Sequence, residues 1–482
     1  MESNRRDFLK GTAWMGLTAL AAGCLTEGPG LFGTAGAPMR GFRTKPMKTV
    51  RVGFVGVGGR GRSAVNRIST IPGCRVTAVC DVRGECCDLA NKGLAERKKP
   101  AAKVYVGEFA YRELCDDPNV DVVYVATDWA HHAPVGLRAL NAGKHALIEV
   151  PAVMTLDECW ALVETAEKTR LHCMQLENCV YGEMEMLGLQ LVKSGVLGEI
   201  VHGEGGYIHD LRINEYEDGR NWDHWRLRWN RAHKGNQYPT HGLGPICWYM
   251  DINRGDRFDY LVSLESGQFN LEAYAAANFP KDSWQNKWKI EQGDMNTTLI
   301  RTAKGRSITV VHDIFSPRPY SRVNFVSGTK GAFYGYPWRS EIGKTEFRVG
   351  WEEKSGGLVH TFFDEAKAEK VREQYRHPLW QKVGALAQKV GGHGGMDFIM
   401  DLRWAYCLQN GLPLDMDVYD LATWCSICEL SERSVRGGSK RMDVPDFTRG
   451  AWRTPVALAD MDVDLTKLDF KTVAADDAAL NV

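Results

Sequence analysis

Short apolar runs alternate with amphipathic segments in the first part of the chain. The pattern predicts strands at residues 50–55, 75–80, 104–106, 120–126, 146–150 and 171–176. Helices are predicted between them, at residues 62–71, 84–98, 109–115, 132–142 and 155–169. Strands that alternate with helices indicate a parallel sheet covered by helices on both faces. Ligands of such sheets bind at the carboxyl ends of the strands.

The pattern changes beyond residue 178. A helix at residues 181–194 is followed by strands at residues 199–208, 260–269, 297–301, 307–313, 320–327 and 331–336. Helices return at residues 397–409 and 418–435. Successive strands of this kind indicate an α+β domain with a large open, mostly antiparallel sheet.

A glycine motif marks the first connection from strand to helix. Gly56, Gly58 and Gly61 follow the first strand, and Asp81 closes the second. The first glycine permits a tight turn, the second lets the backbone approach a pyrophosphate, and the third lets the helix pack closely. The carboxylate of Asp81 can bind a ribose 2′-hydroxyl and would repel a 2′-phosphate, which favours NAD over NADP. This preference is softened by three nearby arginines, Arg60, Arg62 and Arg83.

These patterns divide the chain into five parts. We predict an N-terminal Rossmann dinucleotide-binding domain of the α/β class at residues 48–177 and a substrate-binding α+β domain at residues 178–456. An export signal is predicted at residues 1–37, a linker at residues 38–47 and a C-terminal tail at residues 457–482.

The N-terminal segment has the features of a targeting signal. Arg5 and Arg6 precede a mildly apolar stretch at residues 12–22, which is shorter than a membrane span and resembles a twin-arginine export signal. Cys24 follows Ala-Ala-Gly as in a lipoprotein box, and ordinary signal cleavage further along the segment is the alternative. We therefore expect a periplasmic or envelope-anchored protein, with Cys24 as the candidate for a lipid anchor.

Composition narrows the class of protein. The 482 residues are 44% hydrophobic and 25% charged, as in a soluble globular protein. Lys plus Arg equals Asp plus Glu at 60 each, so the formal net charge is zero and gives no indication of nucleic-acid binding. The 13 cysteines show no disulfide framework. Cys425 and Cys428 lie in a helical segment, and we predict that they are buried structure rather than a redox or zinc pair.

The tripeptide Glu149-Val150-Pro151 stands at the end of a predicted strand. A dinucleotide domain, such a tripeptide and then a large antiparallel sheet resemble the Gfo/Idh/MocA oxidoreductase superfamily. Dehydrogenases of that superfamily usually have Glu-Lys-Pro here, and the lysine assists hydride transfer. Val150 cannot take a proton, so the chain departs from a sugar dehydrogenase at its catalytic centre.

Longer segments resemble one branch of that superfamily, glycoside hydrolase family 109, the NAD-dependent α-N-acetylgalactosaminidases. They are Asn236-Gln-Tyr-Pro-Thr-His-Gly-Leu-Gly-Pro245 and residues 251–260, 316–322 and 393–398. Beside the three glycines of the motif, the resemblance implies NAD contacts from Gly59, Arg60, Asp81, Trp129, Ala130, His131, His132, Glu149, Val150, Asn178 and Tyr238. It implies sugar contacts from Tyr207, Arg226, Tyr238, Pro239, Thr240, His241 and Tyr320.

The resemblance also implies a redox-neutral glycosidase mechanism, a recognised exception to the use of two carboxylates. Hydride leaves C3 of the sugar for the cofactor, a base removes the C2 proton, and the aglycone is eliminated from C1. Water then adds, and the proton and hydride return. His241 is our first candidate for acid–base catalysis, with Tyr320 and Tyr207 as candidates near C2 and C3. The alternative for His241 is a structural histidine in a glycine-rich turn.

Other functions and partners stay open at this point. His131 and His132 are adjacent and should point in different directions, and no ligand set is visible around them, so we predict no metal. The alternative functions are an NAD-dependent sugar dehydrogenase and a non-catalytic sugar sensor. We expect a glycan or small glycoside with terminal N-acetylgalactosamine as substrate, and a homo-oligomer, because an exposed face of the large sheet favours dimers.

Overall fold

A parallel sheet of six strands forms the first part of the fold in the computed structural model, which describes residues 38–216, 222–339 and 345–468. Its strands are β1 (Val50–Val55), β2 (Cys74–Asp81), β3 (Lys103–Val106), β4 (Val122–Val125), β5 (His145–Ile148) and β6 (Cys173–Gln175). They lie in the order β3-β2-β1-β4-β5-β6, and each neighbouring pair is parallel. Every residue of β4 and β5 is buried, as expected where helices cover both faces. The predicted Rossmann architecture is confirmed.

Helices connect these strands close to the predicted positions. They are α1 (Gly59–Ile68), α2 (Gly84–Glu96), α3 (Tyr111–Asp116), α4 (Trp129–Asn141) and α5 (Leu156–Thr169). Helix α4 begins at Trp129 rather than at residue 132, because the side chain of Asp128 accepts the N–H of His131 and caps the helix. Thr155 and Glu158 form a reciprocal capping box at the start of α5.

A second sheet of eight strands forms the rest of the fold. Its strands are β7 (Ile200–Ile208), β8 (Phe258–Glu265), β9 (Met295–Thr302), β10 (Ser307–Asp313), β11 (Phe325–Gly328), β12 (Gly331–Arg339), β13 (Thr345–Trp351) and β14 (Met442–Asp443). They lie in the order β13-β12-β11-β7-β10-β9-β8-β14. Strands β7 and β10 pair in parallel, and the other neighbouring pairs are antiparallel. The predicted open, mostly antiparallel sheet is confirmed.

Three strands of this sheet differ from the prediction, and one of them, the two-residue β14, was not predicted. The strand predicted at residues 320–327 begins only at Phe325, because Val323 and Asn324 have left-handed φ angles of 63° and 51° that interrupt an extended chain. Upstream of this break only Ser321 makes a single bridge, to Ile208. Strand β13 was not predicted.

Ten α-helices accompany the second sheet in the described part of the chain. They are α6 (Glu183–Lys193), α7 (Arg212–Tyr216), α8 (Trp225–Asn230), α9 (Thr240–Tyr249), α10 (Asn270–Asn278), α11 (Trp284–Lys287), α12 (Glu365–Tyr375), α13 (Pro378–Val390), α14 (Met396–Asn410) and α15 (Val418–Arg436). Helices α6, α14 and α15 were predicted. Helix α9 was not, because Gly242, Gly244 and Pro245 lower its intrinsic propensity, and burial against β7 stabilises it instead.

Helix α15 packs against both sheets. It contacts α5 and β6 of the first half and β8 of the second. Cys425 and Cys428 lie buried in this helix as free thiols, in agreement with the prediction.

The described residues include no helix that is long and apolar enough to cross a membrane. The predicted export signal and Cys24 lie outside the described residues, as do residues 469–482 of the predicted tail.

Candidate functional site

The glycine turn between β1 and α1 is closed on one side and open on the other. Gly56 has a φ of 85°, and a Cβ there would lie 2.4 Å from the carbonyl oxygen of Ala126. A Cβ on Gly61 would lie 1.8 Å from the carbonyl oxygen of Gly56. Gly58 and Gly59 meet no atom closer than 3.6 Å on their free side. Only glycines fit the closed side, and the open side leaves the backbone of the turn accessible to a ligand.

The start of α1 is free to bind an anion. Gly58 is its N-cap residue and provides no side-chain cap, and its first turn contains no acidic residue. The N–H groups of a helix start are therefore left for a ligand, and the helix dipole favours negative charge there. The turn fits a dinucleotide phosphate.

Asp81 closes β2 beside this turn. Its two carboxylate oxygens accept the N–H groups of Val57, at 2.9 Å, and of Arg83, at 3.0 Å. These bonds orient a carboxylate that still has lone pairs for a ribose hydroxyl. The structure thus places Asp81 next to the turn, as the sequence motif predicts.

The loop after β4 brings Trp129, His131 and His132 to the same edge of the sheet. His131 bonds to Asp128, with 2.6 Å between Nδ1 and Oδ1. The ring of His132 is buried, with Nδ1 2.8 Å from the carbonyl oxygen of Pro151 and Nε2 3.1 Å from that of Thr127. The two histidines have separate partners, and burial lowers the pKa of His132. His132 therefore connects the loop after β4 with the loop after β5 and does not pair with His131.

Glu149 lies at the centre of a charged network next to the glycine turn. Its Oε1 accepts from Arg60 Nε at 2.6 Å and from the Tyr124 hydroxyl at 2.8 Å. Arg60 also donates from Nη1 to Asp397 Oδ2 at 2.6 Å. The side chain of Arg60 is thus held between two carboxylates, and its backbone remains in the turn.

Glycines bring α9 unusually close to β7. A Cβ on Gly205 would lie 2.1 Å from the carbonyl oxygen of Gly242, and one on Gly242 would lie 2.4 Å from the backbone nitrogen of Gly206. No larger residue fits at either position without moving the backbone. This contact places His241, in the first turn of α9, beside Tyr207 of β7.

Aromatic side chains from four segments gather at this point. The rings of Tyr207 and Tyr238 stack with centroids 4.4 Å apart, and His241 meets them edge-on at 5.4 Å and 4.8 Å. The ring of Tyr320 lies 6.4 Å from that of Tyr207, and Trp129 lies 6.1 Å from Tyr238. We call these residues the aromatic cluster: Trp129, Tyr207, Tyr238, His241 and Tyr320. The aromatic cluster connects Trp129, which follows the loop after β4, to the candidate substrate residues Tyr207, Tyr238 and His241.

His241 is oriented by a buried carboxylate. Its Nδ1 lies 2.7 Å from Oε1 of Glu177, which also accepts the N–H of Cys179 at 2.9 Å. Burial favours a raised pKa for Glu177, but the charge of His241 and the hydrogen bond from its ring outweigh it and hold the pKa below the ordinary value. Nδ1–H therefore donates to an ionised carboxylate, and Nε2 is left to exchange a proton.

Arg226 lies against the aromatic cluster. Its guanidinium carbon is 5.2 Å from the ring centroid of Trp129 and 5.7 Å from that of Tyr238. Burial raises the pKa of the Tyr207 hydroxyl, and the positive charge of Arg226 opposes this. Arg226 therefore places a positive charge against the cluster, close to the Tyr207 hydroxyl.

Glu215 of α7 is a second buried acid near Arg226. It is 0% exposed, and neither carboxyl oxygen has a hydrogen-bond partner in the described part of the chain. Burial raises its pKa to about 7, although the charge of Arg226 opposes the rise. This carboxyl can change its protonation state near neutral pH.

The ion pair of Arg322 and Glu185 orients the hydroxyl of Tyr320. This hydroxyl accepts from Arg322 Nη1 at 3.3 Å, and Arg322 Nη2 lies 2.7 Å from Oε1 of the buried Glu185. Burial raises the pKa of Tyr320, with the charge of Arg322 opposing it. The hydroxyl is therefore protonated at neutral pH and can donate to a ligand.

One group of potential metal ligands occurs among the described residues. Atoms of Glu177, Cys179 and His241 lie within 4.8 Å of one another. Glu177 and His241 already bond to each other, and burial raises the pKa of the Cys179 thiol well above its usual value. The 2.7 Å contact between Glu177 and His241 already forms an acid–base pair without an ion.

The remaining predicted residues lie around the same site, and Val150 packs in one apolar cluster with Trp129, Tyr207 and Tyr238. Val150 and Thr240 are buried, Pro239 precedes α9, and Ala130 is exposed in the first turn of α4. The acids Glu177, Glu215 and Asp397 were not predicted as site residues. For Glu177 and Asp397 a signal was available, because Glu177 follows β6 beside Asn178 and Asp397 lies within the distinctive segment 393–398.

Two protein families match the chain in consecutive parts. The family described as "Oxidoreductase family, NAD-binding Rossmann fold" matches residues 50–176. The family described as "Glycosyl hydrolase 109, C-terminal domain" matches residues 181–454. The first match indicates an NAD-type cofactor for the first sheet.

Curated relatives are similar along almost their whole length. The chain is 42% identical over 468 residues to Glycosyl hydrolase family 109 protein 1 of Shewanella sp. (strain MR-4), covering 94% of this chain and 98% of the relative. It is 42% identical over 459 residues to an alpha-N-acetylgalactosaminidase of Shewanella oneidensis, covering 93% and 97%.

Solved structures with a similar fold are more distant in sequence. Levoglucosan dehydrogenase in complex with NADH and L-sorbose has a TM-score of 0.63 at 18% identity, covering 83% of this chain and 100% of that one. Apo scyllo-inositol dehydrogenase from Lactobacillus casei has a TM-score of 0.57 at 13% identity, covering 83% and 99%. These likenesses show a shared fold of a Rossmann domain and a second, mostly antiparallel sheet.

Proposed function

Because the chain belongs to glycosyl hydrolase family 109, we propose that it removes terminal α-linked N-acetylgalactosamine with NAD as a catalytic cofactor. That the protein is a glycoside hydrolase with an NAD-binding fold follows from the family itself. The observation that carries the finer proposal is the pairing of His241 with Glu177 inside the aromatic cluster, next to the cofactor loop. A redox-neutral elimination requires a group that transfers protons and a nicotinamide cofactor that exchanges hydride.

The cofactor would be held by residues of the glycine turn and the strand ends. Gly58 and Gly59 leave backbone exposed for the phosphates, and Asp81 is oriented for a ribose hydroxyl. Glu149 and Asn178 stand at the ends of β5 and β6 on the same edge. Bound NAD supplies reversible hydride exchange with a sugar carbon, which makes the proton on the neighbouring carbon acidic.

His241 would move protons at its Nε2 atom. The ionised Glu177 accepts from Nδ1 and so fixes both the orientation of the ring and the position of its proton. The same carboxylate stabilises the imidazolium that forms when Nε2 takes a proton from the substrate. This is the arrangement of a general base that later returns its proton as an acid.

The tyrosines and Arg226 would orient the sugar and assist the proton transfers. Tyr207 and Tyr320 are raised in pKa by burial, so their hydroxyls donate hydrogen bonds at neutral pH. Arg226 places a fixed positive charge beside the stacked rings of Tyr207 and Tyr238. A cation in this position suits an acetamide oxygen or an enolate-like oxygen, whose charge grows during C2 deprotonation.

Val150 favours a glycosidase over an enzyme that oxidises sugars with net turnover of NAD. The residue is buried and apolar, at the point where a dehydrogenase of the superfamily would carry a lysine. The chain therefore lacks the amine that assists a stable oxidation, and it retains His241 for elimination chemistry.

A single assay tests the proposal. Purified protein is incubated with p-nitrophenyl α-N-acetylgalactosaminide while phenolate release and NADH absorbance are followed together. We expect release without accumulation of NADH, and exchange of the C2 proton with deuterium from solvent. Accumulation of NADH without release would instead support a sugar dehydrogenase, and neither signal despite bound NAD would support a sensor. A 3-deoxy substrate cleaved as fast as its parent would exclude the redox route.

We also propose that the protein is exported with its cofactor already bound. The twin-arginine segment at residues 1–37 supports a route that carries folded proteins. A cofactor that ends each turnover unchanged suits a compartment in which NAD is scarce. Replacing Arg5 and Arg6 with lysines should leave the protein in the cytoplasm, as fractionation and immunoblotting would detect.

A further inference from the structure

Asp397 connects the second half of the chain to the edge of the first sheet. It lies in the first turn of α14 and is 1% exposed. The turn before it contains Gly391, Gly392, Gly394 and Gly395, all with positive φ. This sharp glycine turn directs the carboxylate towards the start of α1.

The carboxylate of Asp397 has partners from three segments. Oδ2 accepts from Arg60 Nη1 at 2.6 Å and lies 3.0 Å from His393 Nδ1, and Oδ1 accepts from the side-chain amide of Asn178. Arg67 Nη1 lies 3.5 Å from Oδ2. Burial favours a raised pKa for Asp397, but Arg60, His393 and Arg67 hold the pKa well below its ordinary value, so the group is charged.

Two of these partners come from different elements at the cofactor edge, and Asp397 brings their side chains together. Arg60 is the second residue of α1, directly after the glycine turn, and Asn178 follows β6 at the carboxyl edge of the parallel sheet. Dinucleotides bind along this edge in doubly wound sheets. Arg60 is also tied to Glu149 at the end of β5. One carboxylate from residue 397 thus joins points that a bound dinucleotide would span.

We propose that Asp397 is a positioning residue that retains the cofactor, because it holds Arg60 of the glycine turn and Asn178 after β6 together at the edge of the site. Release of NAD then requires these buried contacts to break or to shift with the α14 turn. The inference rests on the proposed function only in needing NAD as the cofactor. It explains why a segment far outside the dinucleotide domain in sequence carries a buried charge next to it.

The test compares Asp397→Asn with Asp401→Asn. Asp401 lies one turn further along α14, is equally buried, and bonds to Arg67 Nε at 3.0 Å without bonding to Arg60. NAD bound after purification is measured by extraction and chromatography, and its release is followed by dilution into an NAD-trapping solution. We expect release from Asp397→Asn to be at least about tenfold faster than from the wild type. Asp401→Asn should release NAD at nearly the wild-type rate.

Equal release rates for Asp397→Asn and the wild type would overturn the inference. So would equal acceleration in both variants, because that would reflect general loosening of α14. Thermal unfolding of both variants without NAD measures this loosening directly.

A measurement on the unaltered protein covers the case in which Asp397→Asn does not fold. Hydrogen exchange of the wild type is compared with and without NAD. We expect amides of residues 391–398 to exchange more slowly when NAD is bound, and those of β14 to be unchanged. No change at residues 391–398 would overturn the inference.

The outcomes also separate this inference from the proposed function. A wild-type protein that binds no NAD would overturn both. A protein that binds NAD but cleaves no glycoside would overturn only the proposed function, since retention is measured from bound NAD and not from activity.

Discussion

Two buried acids beside the aromatic cluster differ in their partners and not in their burial. Glu177 and Glu215 are both 0% exposed. Glu177 receives hydrogen bonds from His241 and from the N–H of Cys179, whereas Glu215 has no partner for either oxygen in the described ranges. The pKa of Glu177 therefore stays below its ordinary value, and burial raises that of Glu215 to about 7. The donors around an acid, and not its depth, decide its charge.

This difference gives the two acids different tasks. Because its pKa lies below the ordinary value, Glu177 is ionised near neutral pH and can hold His241 in one orientation there. Glu215, close to the charge of Arg226, gains or loses a proton within the physiological range. Near neutral pH the charge of Glu177 therefore stays constant, whereas the charge of Glu215 changes with pH.

The largest effect is expected when His241 is removed. His241→Ala should lower kcat by about 10²–10⁴-fold, because the proton at C2 loses its acceptor. The variant also removes the donor that His241 provides to the buried Glu177 and leaves the N–H of Cys179, so the pKa of Glu177 should rise towards that of Glu215. Phenolate release measures the first effect, and infrared absorption of a protonated carboxyl measures the second.

The control for this variant is His202→Ala. His202 lies on the same strand as Tyr207 but bonds to Ser307 at 2.8 Å, away from the cluster. It should leave kcat unchanged within about twofold. A His241→Ala variant with similar activity would refute the catalytic role of His241.

A smaller effect is expected from Glu177→Gln. The amide keeps the shape of the side chain but loses the charge that holds the imidazolium, so kcat should fall about 10–100-fold. The acidic limb of the pH–rate profile should move as well, which a purely structural defect would not cause. Glu265→Gln is the matched control, because Glu265 is a buried acid bonded to the N–H of Gly235 and not to His241. An unchanged pH–rate profile would show that Glu177 does not act through His241.

The smallest effect on activity, with a distinctive effect on stability, is expected from Glu215→Gln. A carboxyl whose pKa is raised from 4.5 to about 7 contributes stability below pH 4.5 that is lost as the pH rises through 7. The variant cannot ionise, so between pH 5 and pH 8 it should lose on the order of 2 kcal/mol less stability than the wild type. Urea unfolding at the two pH values measures this difference.

Glu177→Gln should show the opposite sign when the urea unfolding is extended below pH 4.5. Because the pKa of Glu177 is lowered, its contribution is present above the ordinary value and is lost as the pH falls. Parallel pH dependence of the two variants would contradict the comparison drawn here.

Local patterns could be predicted from the sequence because their causes are local. Gly56, Gly61 and Asp81 lie within one strand–helix–strand unit, and the structure places all three together. The parallel pairing of the first sheet follows from the alternation of strands and helices. The mostly antiparallel character of the second sheet was likewise visible from its successive strands.

Contacts between distant segments could not be predicted in the same way. Helix α9 carries glycines and a proline that argue against a helix, and only its contact with β7 explains it. Glu177, the partner of His241, lies 64 positions away in the sequence. No sequence pattern indicates that Glu215 would be buried without a hydrogen-bond partner among the described residues. Arg60 was expected at the phosphate turn, but the partner that holds its side chain lies 337 positions further on.

Helix α15 has a consequence for the order in which the protein matures. Leu421, Ala422 and Cys425 share one apolar cluster with Val55 and Val125 of the dinucleotide domain. A ribosome delivers that domain first, and the side chains that α15 adds to this cluster are made only at residues 418–436. We therefore expect the dinucleotide domain to complete its apolar core, and to hold a nucleotide stably, only when nearly the entire polypeptide has been made.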